Sequence, residues 1–341
     1  MRLTKECKIM KAYELVPREG LKMVERPSPE VGPYDARVRV RAVSLNYRDV
    51  SMLEGTYPVP PTKPIIPTSD GAGEVVAVGS KVRLVAVGDR VAANFFPYWL
   101  DGQLTEERMP ALGGELDGML AEEVALPETA WVKLPPSLSF EQAATLPCAG
   151  VTAWNSLFEA ANLGPGDTIL TQGTGGVATF SLQLARATGA NAVVTSGSAE
   201  KRAHLEKMGA MATIDYRATP KWGATVREAT RGRGVDVDVE TAGATLNESM
   251  IALRHGGTLS LVGFLAGTAA PVDTARILYQ NIRVHGVYVG SVRMFEDFLR
   301  AIEANEIEPI IDKVFPFAEA EAAYRYLASA KHFGKVVVRV D

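Results

Sequence analysis

Residues 167–178, DTILTQGTGGVA, decide the fold. An apolar run ends in Gly173-Thr174-Gly175-Gly176-Val177-Ala178 and passes directly into the helical pattern FSLQLARATG, so strand, glycine-rich turn and helix follow in immediate succession. In that context each glycine has a physical task. Gly173 makes the tight turn, Gly175 lets the backbone approach a pyrophosphate, and the helix that starts near Gly176 offers unpaired amides and a positive dipole end to negative charge. Ala178 stands where a third glycine is usual and suffices there, because the position needs only close helix packing. The turn therefore predicts a bound dinucleotide held by Gly173, Thr174, Gly175, Gly176 and Val177.

Outward from this turn the texture is consistent. From Phe140 onward, helical patterns alternate with NAVVTSG, TIDY, VDVDVETAG, GTLSLVGF and RVHGVYVG, the signature of a doubly wound parallel sheet in an α/β domain of Rossmann type. Upstream, KAYEL, ARVRVRAVSL, GAGEVVAVG and DRVAANFF are short β-rich runs separated by Pro and Gly clusters, which predicts a mostly antiparallel module. Residues 99–118 lack periodicity and read as a loop or lobe outside the core. A helix over RMFEDFLRAIEANEI and a last strand KVVVRV return the chain to the first module. The expected division is residues 1–136 with 292–341 as one domain and 137–291 as the other.

The strand after the glycine turn says which dinucleotide is bound. An acidic residue about 20 positions beyond the first glycine would accept the ribose hydroxyls of NAD. Instead the chain reads Thr195-Ser196-Gly197-Ser198-Ala199-Glu200-Lys201-Arg202. The hydroxyls of Ser196 and Ser198 and the cations Lys201 and Arg202 suit an added phosphate, so NADP(H) is the expected cofactor. Tyr216 and Arg217, after the following strand, are candidates to close over the adenine ribose.

Composition excludes several classes of function. The chain has 341 residues, 47% of them hydrophobic, and a net charge of -4 from 36 basic and 40 acidic residues, so it has apolar surface for two cores but no basic field for nucleic acid or an anionic membrane. It contains no apolar run of about 18 residues and no secretory leader at its start. Cys7 and Cys148 are too few for a disulfide framework or a four-cysteine zinc lobe, and reduced thiols fit a cytoplasmic setting.

With SLNYRDVSMLEGTYP, IIPTSDGAGEVVAVGSKVRLVAVGDRV, GMLAEEVALPETAWVKLP, AATLPCAGVTAWNSL, GTGGVA, TSGSAEKR and HFGKVVVRV in this order, the chain resembles the zinc-independent, quinone oxidoreductase-like branch of the medium-chain dehydrogenase/reductases. The resemblance runs from Met10 to Val340. It implies a GroES-like catalytic domain with an inserted Rossmann domain, a cleft between them for the nicotinamide, and homodimers or homotetramers paired through the edge strand Arg283 to Gly290. Zinc-containing relatives place a cysteine, a His-Glu pair and a later cysteine or histidine around a metal. Here those positions resemble Asn46, then Ser69 and Asp70, then Cys148. An amide and a hydroxyl are poor zinc ligands, so no metal is expected. His204, His255, His285 and His332 show no close pairing that would build another metal site.

Without a Lewis acid, an acceptor that spreads its developing charge over a conjugated system needs least help from the protein, which favours quinones or activated enones. The catalytic candidates are Asn46, for the substrate oxygen or the nicotinamide ribose, Asp49, to anchor the turn that carries Asn46 or join a proton path, and Tyr47 and Tyr57, as donors to the oxyanion. Thr152, Gly243, Phe264 and the backbone of Val289 and Gly290 complete the cofactor set, with Phe333 and Lys335 returning from the C-terminal segment and Lys335 directed to the phosphate. Two alternatives stand beside this reading: a zinc-free NADP-dependent alcohol dehydrogenase or aldehyde reductase, and a non-catalytic NADPH-binding protein of crystallin type.

Overall fold

Alternating apolar and polar residues in the first third of the chain bury one face of each strand, and the strands pair accordingly. The structure, a computed structural model, describes residues 8–341; Cys7 lies outside the described residues. Contacts divide the chain into two compact units, one running up to Cys148 and resuming over Gly290–Asp341, the other Ala149–Val289.

The first unit begins with the antiparallel ribbon β1 (Ile9–Val16) and β2 (Gly20–Pro27). Strand β3 (Asp35–Leu45) is followed by helix α1 (Tyr47–Leu53), β4 (Asp70–Val78), β5 (Arg90–Ala93), β6 (Glu123–Pro127), β7 (Trp131–Lys133) and helix α2 (Phe140–Ala144). Residues 99–118 contain one short 3-10 turn, but the expectation that they lie outside the core is corrected. Trp99, Ala111 and Leu112 are buried, and Leu112 joins the main apolar cluster, a role that single anchoring side chains perform without periodicity. This unit also reaches past residue 136, because α2 packs on β3 and β4.

The second unit opens with helix α3 (Val151–Trp154), flanked by π-helical stretches at Leu146–Gly150 and Asn155–Glu159. Then β8 (Thr168–Gln172), α4 (Gly176–Thr188), β9 (Asn191–Thr195), α5 (Ala199–Lys207), β10 (Ala212–Ile214), α6 (Trp222–Ala229), β11 (Val235–Glu240), α7 (Leu246–Ala252), β12 (Leu253–Leu261), α8 (Thr274–Tyr279) and β13 (Arg283–Gly286) follow. The strands form one parallel sheet in the order β10-β9-β8-β11-β12-β13. The strand order reverses between β8 and β11, with β9 and β10 added on one side and β12 and β13 on the other, which is the switch point where open α/β sheets take ligands. The edge strand stops at Gly286, short of the expected Gly290; Val287 N still donates to Leu261 O at 2.9 Å, and Val289 then adopts a left-handed φ of 55°.

The chain then returns to the first unit through α9 (Val292–Ala304), β14 (Ile311–Pro316), α10 (Ala320–Ala328) and β15 (Lys335–Arg339). Strand β15 pairs antiparallel with β3, which fixes Lys335 beside the end of β3. No described helix is long and apolar enough to cross a membrane.

Candidate active site

Because all strands of the second unit run parallel, the residues that follow them share one edge of its sheet. There lie Gly173 to Val177 after β8, Ser196, Ser198, Lys201 and Arg202 after β9, Tyr216 after β10, Gly243 after β11, Phe264 after β12 and Val289 after β13. Gly173 has φ 81°, a value that favours glycine, and its N–H donates to Thr195 O at 2.8 Å. A Cβ at Gly173 or at Gly175 would meet nothing within 4 Å, so open space borders the backbone where a phosphate group must approach. Helix α4 starts directly behind, and its first amides have no partners within the helix. These residues fit a dinucleotide.

After β9, Ser198 caps α5 by accepting from Lys201 N at 3.3 Å. Arg202 donates to Ser196 O at 2.7 Å and to Asp215 at 2.8 Å, an acidic partner that the sequence reading did not anticipate. Arg217 lies against Gly197, where an added Cβ would sit 2.6 Å from its Nε. The Ser196–Ser198 turn thus carries two hydroxyls and stands beside the guanidinium groups of Arg202 and Arg217.

A buried carboxylate holds the neighbouring turn. Glu240, at the end of β11, is fully buried and accepts from Ala242 N and Gly243 N at 2.8 Å, from Gln172 Nε2 at 2.7 Å, from Thr245 Oγ1 at 3.2 Å and from Ser249 Oγ. Gly243, with φ 76°, is packed so closely that a Cβ would lie 2.9 Å from Phe264 Cα. Asn155 donates from Nδ2 to Val289 O at 2.7 Å and stabilises its strained backbone. Thr152, in α3, is buried, with its carbonyl accepting from Ser156 Oγ.

The catalytic candidates lie in the first unit. Asp49 accepts from the backbone N–H of Asn46 at 2.7 Å, which fixes the start of α1. Burial lifts the Asp49 carboxyl to about 6, against the pull of the Arg48 charge. Asn46 is turned inward: its Oδ1 accepts from Lys335 Nζ at 2.5 Å, and Nδ2 meets no acceptor at hydrogen-bonding geometry. Tyr47, by contrast, is 47% exposed. Tyr57 is half-buried, with the Arg48 guanidinium 5.7 Å from its ring centre. Lys335 differs most from expectation. Its ammonium is directed not outward to a phosphate but inward, to Leu45 O at 2.6 Å and to Asn46. Asp70 is fully buried and takes Ser69 Oγ at 2.7 Å and Cys148 N at 3.2 Å. The preceding Thr68 has a left-handed φ of 67°, a strained conformation for a β-branched residue. Desolvation pushes the Cys148 thiol pKa up, which disfavours the reactive thiolate. Gly290 and Phe333 also belong to this unit, the first accepting from Asn94 Nδ2 and the second donating its N–H to Asp312.

Residues 32–136 match the alcohol dehydrogenase GroES-like domain, and residues 176–304 match the family described as zinc-binding dehydrogenase. A zinc-type alcohol dehydrogenase-like protein of Schizosaccharomyces pombe is 44% identical over 95% of this chain and 96% of its own length. A quinone oxidoreductase of Pseudomonas aeruginosa is 32% identical over 91% of this chain and 92% of its own. A crystal structure from Sinorhizobium meliloti, provisionally named an alcohol dehydrogenase, superposes with a TM-score of 0.92 at 40% identity, covering 98% of this chain and 99% of that one.

Proposed function

We propose that this chain, which belongs to the medium-chain dehydrogenase/reductase superfamily and is an oxidoreductase, reduces quinones or activated enones with NADPH and without zinc. The single observation that carries the reading is the glycine turn between β8 and α4, with its open approach at a helix N-terminus, followed by a hydroxyl and cation cluster where an NAD enzyme would carry an acid. When bound, NADPH supplies the hydride. Gly173, Thr174, Gly175, Gly176 and Val177 hold the pyrophosphate, Ser196, Ser198, Lys201 and Arg217 receive the 2′-phosphate, and Arg202 braces Ser196 from below. Thr152, Tyr216, Gly243, Phe264 and Val289 are further cofactor residues of the second unit, and Gly290 and Phe333 are those of the first.

Tyr47 and Tyr57 are the donors for the oxygen that gains charge, while Asn46 and Asp49 anchor the turn carrying Tyr47. The match to a quinone oxidoreductase supports a conjugated acceptor, since such an acceptor tolerates the lack of a Lewis acid. The zinc that the family description implies does not fit. Around Asp70 the side chains are an amide, a hydroxyl and a single thiol, and an ammonium already stands among them.

Cofactor choice is tested on Lys201→Ala with Arg217→Ala. Each charged hydrogen bond contributes about 1.5–3 kcal/mol, so NADPH binding should weaken roughly tenfold to a hundredfold while NADH binding barely moves. Equal losses for both cofactors would remove the phosphate assignment.

Assembly follows from the edge of the same sheet. Strand β13 is exposed along its whole length, and Val284 on it and Leu278 and Tyr279 just before it add apolar surface, at 49%, 74% and 81% exposure. A second copy of the chain is the proposed cover. Val284→Lys should give monomers by light scattering where the native chain gives dimers or tetramers, and an unchanged mass for both would argue against pairing at this edge.

A further inference from the structure

The zinc mismatch has a specific cause, and we propose that the ammonium of Lys335 is a built-in cation that occupies the metal's place, excluding a divalent ion and positioning Asn46 and Asp70. Lys335 is 3% exposed; its ammonium donates to two oxygens of one segment, Leu45 O at 2.6 Å and Asn46 Oδ1 at 2.5 Å, and stands 3.8 Å from Asp70 Oδ2 of a second, an ion pair rather than a hydrogen bond. A buried charge left unpaired is costly, and so is a buried carboxylate alone; here each offsets the other. Burial raises the Asp70 pKa, and the Lys335 charge is the largest influence pulling it back.

The arrangement is a coordination shell for a single positive charge. It draws a backbone carbonyl from the end of β3, an amide oxygen from the residue before α1, a carboxylate from the start of β4 and the cation from the start of β15. A divalent ion placed among these oxygens would face the ammonium at contact distance in a low-dielectric interior, where like charges repel strongly. The one sulfur donor at hand, Cys148, lies within electrostatic reach of both Asp70 and Lys335. Lys335 thereby makes the locus self-sufficient. It also fixes the orientation of the Asn46 amide, because an ammonium can only donate and so must face the oxygen.

This inference rests on the zinc-free reading, and the experiment separates the two. The native chain and Lys335→Ala are purified without an affinity tag, dialysed against Zn2+ and, separately, Mn2+, and the bound metal is measured per chain. The native chain should hold none. Lys335→Ala should take up one equivalent of Mn2+, which the remaining carboxylate, carbonyl and amide oxygens suit better than zinc, and Asp70→Asn on top of it should abolish the uptake. A native chain that holds one zinc, lost on Asp70→Asn, would overturn both the zinc-free reading and this inference. A folded Lys335→Ala that binds no metal would overturn the inference alone. If Lys335→Ala does not fold, Lys335→Met with and without Asp70→Asn decides the matter by thermal midpoint. The double variant should melt well above Lys335→Met alone, since it removes the stranded carboxylate, whereas simple addition of the two single losses would overturn the claim.

Discussion

Glu240→Ala should destabilise the second unit by roughly 3–5 kcal/mol, a large share of the net stability of a typical domain. Removing the carboxylate strands a set of buried donors at once: two backbone amides, the Gln172 amide and the hydroxyls of Thr245 and Ser249. Each orphaned donor costs about 1–3 kcal/mol, and partial relaxation keeps the sum below simple addition. Glu240→Gln should lie between, because its amide oxygen still accepts while its NH2 opposes the amides of Ala242 and Gly243. Chemical denaturation of the three proteins checks this. Coinciding midpoints would mean that the network carries no weight. Asp238, two residues earlier on the same strand, is the contrasting carboxyl. It is fully buried, neither oxygen meets a donor at hydrogen-bonding geometry, and burial followed by the Glu240 charge pushes its pKa well up, against the Ser249 hydroxyl. Only one of these neighbouring carboxyls organises the ligand edge.

Gly175→Val should leave the fold intact and weaken dinucleotide binding by about a hundredfold or more. Gly175 has φ −79°, open to any L-residue, and an added Cβ meets nothing within 4 Å, so the chain itself has no reason to reject valine. The space such a side chain fills is the approach of the pyrophosphate to the first amides of α4. Losing one or two charge-assisted hydrogen bonds there costs about 3 kcal/mol, or roughly two powers of ten in Kd. Calorimetric titration with NADPH, beside a thermal melt as control, separates binding from folding. An unchanged Kd would move the phosphates away from this turn, while a collapsed melting temperature would mean that the space is not open.

The turn was legible in sequence because its chemistry is local. DTILTQGTGG specifies strand, φ-permissive corner and helix within a few residues, and the structure realises each of them. Helix α5 was legible for the same reason, with Ser198 as its cap. What the sequence concealed depends on distant partners. Lys335 reads as a basic residue free to meet a phosphate; only the antiparallel pairing of β15 with β3 reveals that it faces Asn46 and Asp70. Arg202 reads as a phosphate ligand until Asp215, just after the next strand, is found beside it. In VDVDVE alternation identifies a strand, but all six residues are buried, so periodicity cannot say which acid is satisfied. The core role of Leu112 in an aperiodic segment and the early end of β13 at Gly286 are tertiary effects of the same kind.

The central claim is tested most directly by following NADPH and NADH oxidation by the native protein against 1,4-benzoquinone, 9,10-phenanthrenequinone, an alkenal and simple aldehydes, with a chelator present. Rapid loss of NADPH absorbance with the quinones or the alkenal, slower turnover of NADH, and no effect of the chelator are the expected results. Activity confined to simple aldehydes, or abolished by the chelator, would contradict the account.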